Sequence, residues 1–260
     1  MRRLVVSGVI VAATVTGAAA GCGVAQSSGD GAASASTPAA TTASTTPVLT
    51  STTPASSNVP PAPPPSGLQG PPKPAITRDF IQYGATRQAE MAAYARRHYG
   101  VSTDRVHPRV IVLHFTDSGP GSYPGVHALF DANQPNGGEL PGVCAQFVVD
   151  QDGTIYQQVP LKLMCRHAIG LNDRAIGIEM IQQQGISSHW ADQQILHRRP
   201  QIRSVLRLVR WLQARYDIAK RNVIGHAMAN DSPFFHDLEG WRNDHTDWQR
   251  EDVLELRSRL

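Results

Sequence analysis

From Gly23 to about Ala75 the chain is built of Ser, Thr, Ala and Pro, with almost no charge and no run of large apolar residues. Such a segment has nothing to bury against the entropy of ordering its backbone, so it reads as a disordered tether. Of the 260 residues, only those after about residue 75 can supply a fold, and that length suits one hydrophobic core. If largely extended at about 3.1 Å per residue, the tether would reach on the order of 150 Å.

The segment before the tether reads as an export signal over 1–21. Met1-Arg2-Arg3 is its basic start, Leu4 to Thr16 its apolar centre, and Ala18-Ala19-Ala20-Gly21 its small-residue cleavage site. The apolar part is too short for a permanent membrane span. Its end, "AAGC", resembles a bacterial lipoprotein box, which implies a diacylglyceryl group on Cys22 and a protein held on the membrane in the extracytoplasmic envelope. A plain secretory signal is the alternative. With Cys22 lipidated, Cys144 and Cys165 remain as an even pair in an oxidising compartment. They read as a disulfide, with two reduced buried thiols as the alternative. The 24 Lys and Arg against 21 Asp and Glu leave only +3, and no basic run is present, so nucleic acid is not an expected partner.

Residues 76–260 read as one α/β domain, with an N-terminal helix within 76–105 and a core over 106–260. In "TRDFIQYGATRQAEMAAYARRHYG", Met91, Tyr94 and Ala95 share a helical face and Gly100 stops it. "HPRVIVLHFT" is a strand, "PGVHALFDANQ" a helix, and "AQFVVD" with "TIYQQV" a hairpin across "QDG". "RAIGIEMI" is another strand, and "NVIGH" a short one. Ile202, Val205, Leu206, Val209 and Leu212 stripe a helix that starts near Pro200, and "WQREDVLELRSRL" closes the chain as a helix. The Gly/Pro loop after "HFT" misses the dinucleotide pattern, "DQDGT" lacks the later ligands of a calcium loop, and no Gly-x-Ser-x-Gly elbow occurs.

Two of these strands end on an imidazole, His114 and His226. "WRNDHTDW" offers carboxylates at Asp244 and Asp247 shortly afterwards. Two histidines and a carboxylate leave one position open on zinc, the pattern of a catalytic rather than a structural site. In "AIGIE" the alternation sets Ala175, Gly177 and Glu179 on one face, leaving room beside the carboxylate. His167 lies in the loop before that strand. Val112 and Thr116 share the face of His114, so the opposite face is free to stay in the core.

The blocks "VLHFT", "QFVVDQDGTIYQ", "RHAIGLNDRAIGIE", "VIGH" and "RND" occur in an order that resembles the zinc-dependent N-acetylmuramoyl-L-alanine amidases of the type 2 amidase and peptidoglycan recognition protein family, from Val106 to the end. The resemblance implies a single domain with a mixed central β-sheet flanked by helices and with zinc in a surface groove. It implies His114, His226 and Asp244 as the metal ligands, with Asp247 and His245 as rivals for the third place. Glu179 falls on the acidic catalytic position, and His167 and Arg242 are further catalytic candidates. Arg242 stands where the family commonly has a lysine two residues before the third ligand. Asn172 and Thr116 are assigned to substrate. The implied reaction is hydrolysis of the amide between N-acetylmuramic acid and L-alanine in peptidoglycan or muropeptides, by a monomer. The alternative is a module that binds peptidoglycan without cutting it. Departures from the family are the insertion "ANDSPFFHDLEGW", Asp244-His245-Thr246 in place of Asp-Pro-Gly, and Gln146 where His or Tyr is usual.

Overall fold

The computed structural model describes residues 70–260. The export signal, Cys22 and the tether as far as Gln69 lie outside the described residues. Six strands form one mixed sheet in the order β1-β4-β3-β5-β2-β6. They are β1 (Thr77–Arg78), β2 (Val110–Phe115), β3 (Phe147–Val149), β4 (Ile155–Gln157), β5 (Ala175–Met180) and β6 (Val223–Gly225). Only the β3/β4 hairpin is antiparallel; every other pairing is parallel. Five helices flank the sheet: α1 (Ala85–Tyr99), α2 (Tyr123–Asp131), α3 (Ser188–His197), α4 (Arg199–Tyr216) and α5 (Arg250–Ser258).

Parallel strands covered on both faces require continuous apolar sequence, and β2 is such a strand. It lies between β5 and β6, and Val110, Ile111, Val112 and Leu113 are all fully buried. The expectation of one core face and one open face on β2 is therefore corrected: Val112 is as buried as its neighbours. The register pairs His114 with Glu179 and Leu113 with Gly225, which immediately precedes His226. His114, Glu179 and His226 thus stand at the same carboxyl edge of three adjacent strands, where open α/β sheets place their ligands.

Two further readings change. The region 76–105 is not helical throughout: Thr77–Arg78 pairs in parallel with Tyr156–Gln157 before α1 begins. α3 was not legible, because two of its buried positions, Ser188 and Asp192, are polar. Its start is set by Ser187, whose hydroxyl accepts from Trp190 N. α4 carries the expected stripe, with Ile202, Val205, Leu208, Val209 and Leu212 buried and Leu206 packed at its margin. Cys144 and Cys165 are bonded to each other, and Cys144 N donates to Arg166 O, so the start of the His167 loop is tied to the approach to β3. Gln146 extends that attachment: its side chain donates to Leu163 O and accepts from Gly177 N, standing in for a ladder bond between β3 and β5.

Candidate metal centre

His114, His226 and Asp247 converge at the carboxyl edge of β2 and β6. The Nδ1 atoms of the two imidazoles are 3.0 Å apart. The Asp247 carboxylate turns Oδ2 to His114 Nδ1 at 3.3 Å and Oδ1 to His226 Nδ1 at 3.2 Å. All three residues are buried. Asp244 is exposed and does not join the cluster, so the third member is Asp247 rather than Asp244. The reason is local backbone: Ala227 N donates to Asp247 O, bringing Asp247 beside His226. Trp248 then fills the core, with its indole donating to His114 O at 3.3 Å. The turn is fixed from behind by Asp192 of α3, which accepts from Trp248 N at 3.1 Å and Gln249 N at 2.8 Å. Gly225 is required here, since a Cβ on it would lie 1.8 Å from Trp248 O.

The outer nitrogens of the imidazoles are also engaged. His226 Nε2 meets Asn243 Oδ1 at 2.9 Å, and His114 Nε2 meets His167 Nδ1 at 3.1 Å. With a proton on each Nε2, two Nδ1 lone pairs and a carboxylate face one another with no proton between them. Only a cation stabilises that arrangement: a shared proton in the bare protein, or a metal. A tetrahedral zinc with bonds of about 2.0–2.1 Å sets its ligand atoms about 3.3 Å apart. The separations here are close to that spacing, so the donor set fits zinc.

Burial, then the neighbouring His226, lowers the His114 pKa to about 4, so the ring is neutral as a ligand must be. Burial alone would raise the Asp247 carboxyl, but the influence of the neighbouring His226 and His114 outweighs it and holds the group well below the usual carboxylate range. Glu179, opposite His114, has its pKa raised to about 8 by burial and then by the Asp247 charge. Its Oε2 is buried without a hydrogen-bond partner among the described residues.

The room expected beside Glu179 is filled. The His167 ring lies over Gly177, and a Cβ there would come within 2.8 Å of the ring. His167 contacts His114 and is held well below its ordinary pKa, chiefly by burial. It therefore braces His114 from behind. Asn172 is corrected from a substrate contact to a loop fastener: it is buried, accepts from His167 N and Ala168 N, and donates to Tyr94 OH. Thr116 lies just past His114, with its hydroxyl 2.5 Å from that of Ser118. Arg242 is exposed, its guanidinium 5.1 Å above the Phe235 ring, with no polar contact to the cluster among the described residues. The residue two before Asp247 is His245. Its half-exposed ring stacks on His226 with centroids 4.2 Å apart, and its Nδ1 is 3.9 Å from Asp247 Oδ1. The sequence reading named His245 only as a rival ligand and missed Asp192, Asn243 and Trp248. Nothing in their spacing marks them, because each acts through long-range contacts.

A family model described as N-acetylmuramoyl-L-alanine amidase matches residues 87–247. No curated protein matches the chain. Among solved structures, the chain is similar to the endolysin N-acetylmuramoyl-L-alanine amidase LysCS from Clostridium intestinale URNW, at 19% identity over 72% of this chain and 97% of that one, with a TM-score of 0.45. It is also similar to a mutant endolysin from Bacillus subtilis, at 24% identity over 60% and 86% of the two chains, with a TM-score of 0.40.

Proposed function

From the premise that the chain belongs to the N-acetylmuramoyl-L-alanine amidase family, we propose that it is a zinc-dependent enzyme that cleaves the amide between the lactyl group of N-acetylmuramic acid and L-alanine, in peptidoglycan or muropeptides. The observation that carries the zinc reading is the meeting of His114 Nδ1, His226 Nδ1 and the Asp247 carboxylate, with the unpartnered Glu179 carboxyl in register beside them.

Zinc held by these three residues would lower the pKa of a water and polarise the scissile carbonyl. Glu179 takes the proton from the attacking water and returns it to the leaving amine. A pKa raised toward neutrality suits a group that must do both. His245 is positioned beside the cluster to hydrogen-bond the oxyanion that develops on the carbonyl, the role the resemblance would give to Arg242. His167, Asn172 and Gly177 keep His114 in place. Removing metal with a chelator should abolish hydrolysis and zinc alone should restore it, as read by release of stem peptide from muropeptides. Full activity in metal-free protein would refute the zinc reading.

Export and a lipid anchor on Cys22 belong to the same proposal, since peptidoglycan lies outside the cytoplasm. Cys22→Ala should move the protein from the membrane fraction to the soluble exported fraction. Unchanged fractionation would count against lipidation.

A further inference from the structure

The stretch between His226 and Asp247, which contains the insertion, is a strap that returns across the His167 loop. His236 N donates to Gly170 O, and the Phe235 ring packs on Gly170, whose added Cβ would come within 2.4 Å of it. The strap is tied to the end of α1 as well. Asp237 accepts from His98 Nδ1 at 2.9 Å, Leu238 N donates to His98 O, and the Trp241 ring meets His98 edge-on at 5.0 Å.

The strap ends on Asn243, whose surroundings fix the direction of its amide. Asn243 Oδ1 accepts from Ile169 N at 3.1 Å, and Nδ2 donates to Ile169 O at 2.7 Å. A flipped amide would set donor against donor and acceptor against acceptor at the same backbone residue, so the orientation follows from chemistry. The backbone beneath is pinned in the same two-sided way: Asn243 N donates to Asn230 Oδ1, and Asn230 Nδ2 donates to Asn243 O. The oxygen thus held in place is the atom that meets His226 Nε2 at 2.9 Å. An oxygen without a hydrogen can only accept, so His226 must carry a proton on Nε2, and in the neutral ring the Nδ1 lone pair then faces His114 and Asp247.

We propose that Asn243 is a positioning residue for the metal centre: it sets the tautomer and ring orientation of His226 while locking the His167 loop, and the inserted strap exists to hold it there. One amide then couples the two sides of the cluster, because the loop it fastens at Ile169 also carries His167, which braces His114. Outer partners of this kind commonly change metal affinity by about 10- to 100-fold.

The affinity arm of the test rests on the zinc reading, whereas the tautomer arm does not. Nitrogen NMR of the metal-free protein should show His226 protonated on Nε2, and a dominant Nδ1–H form in the wild type would overturn the proposal by itself. Asn243→Ala should admit the Nδ1–H tautomer and weaken zinc binding, measured by competition with a chelator, by about 10- to 100-fold. Asn243→Asp keeps an acceptor for His226 while losing the bond to Ile169 O. It should retain the Nε2–H tautomer and bind zinc within a few-fold of wild type. If Asn243→Ala keeps both tautomer and affinity, or if the two variants lose affinity equally, Asn243 only braces the strap and the proposal is wrong. A wild-type protein that binds no zinc would instead refute the metal reading, with the tautomer comparison still deciding the role of Asn243.

Discussion

Glu179→Gln should lower hydrolysis by about two to four orders of magnitude while zinc content and muropeptide binding stay at the wild-type level. Gln keeps the shape of the side chain but cannot take a proton from water. Opposite His114 on the neighbouring strand, no other described carboxylate occupies the equivalent place on β5. Normal turnover in this variant would remove Glu179 as the general base. The same substitution should stabilise the metal-free protein in alkali. Burial first, and then Asp247, raise the Glu179 pKa from 4.5 to about 8. The folded protein therefore retains a proton that the unfolded chain has already released between those values. Stability from this group is complete below about pH 4.5 and is lost as pH rises through about 8. Above that range ionised Glu179 costs up to roughly 5 kcal/mol, less whatever water admitted around it recovers. Thermal unfolding of the metal-free variant should accordingly show its largest gain over wild type above pH 8 and none near pH 4. An equal gain at both pH values would show that the carboxyl is not desolvated as described.

Asp247→Ala should lose zinc and hydrolysis together, whereas Asp244→Ala should keep both. Asp247 is a buried carboxylate flanked by two imidazoles, and Asp244 is exposed outside that cluster. Loss of a direct ligand should exceed the roughly 10- to 100-fold effect of an outer partner. Metal analysis of the two purified variants separates them, and zinc lost only from Asp244→Ala would reverse the assignment of the third ligand.

The two histidines were the most legible members of the cluster in sequence, since "RVIVLH" and "NVIGH" each end an apolar run on an imidazole; His114 lies within β2, and His226 follows β6 directly as the first residue of a short 3-10 helix. Glu179 was legible from alternation in "AIGIE". The third carboxylate was not, for a physical reason: it lies in an irregular turn, after an insertion that shifts any count from family spacing. Its place is set by Asp192 on α3, by Ala227 N and by the burial of Trp248, which depend on contacts between residues far apart in sequence. The same shift moved the position two before the ligand from Arg242 to His245. The space beside Glu179 misled for a related reason. Small residues at 175 and 177 do leave room, but local pattern cannot say that a loop fastened by Asn172 fills it with the His167 ring. The six-stranded order, with β1 joining the sheet from a segment expected to be helical, likewise depends on a two-residue pairing too short to leave a periodic signal.

The reaction proposed for this cluster is hydrolysis of the bond between muramic acid and L-alanine. The most direct measurement is mass spectrometry of the products formed from purified peptidoglycan by the zinc-loaded protein, beside the metal-free protein and Glu179→Gln. The zinc-loaded protein should release stem peptides with a free L-alanine amino group, leaving glycan chains whose lactyl groups end in carboxylates, and the two controls should release almost none. Glycan and stem peptide that remain joined after prolonged incubation with zinc, or cleavage only within the peptide or the sugar chain, would contradict it.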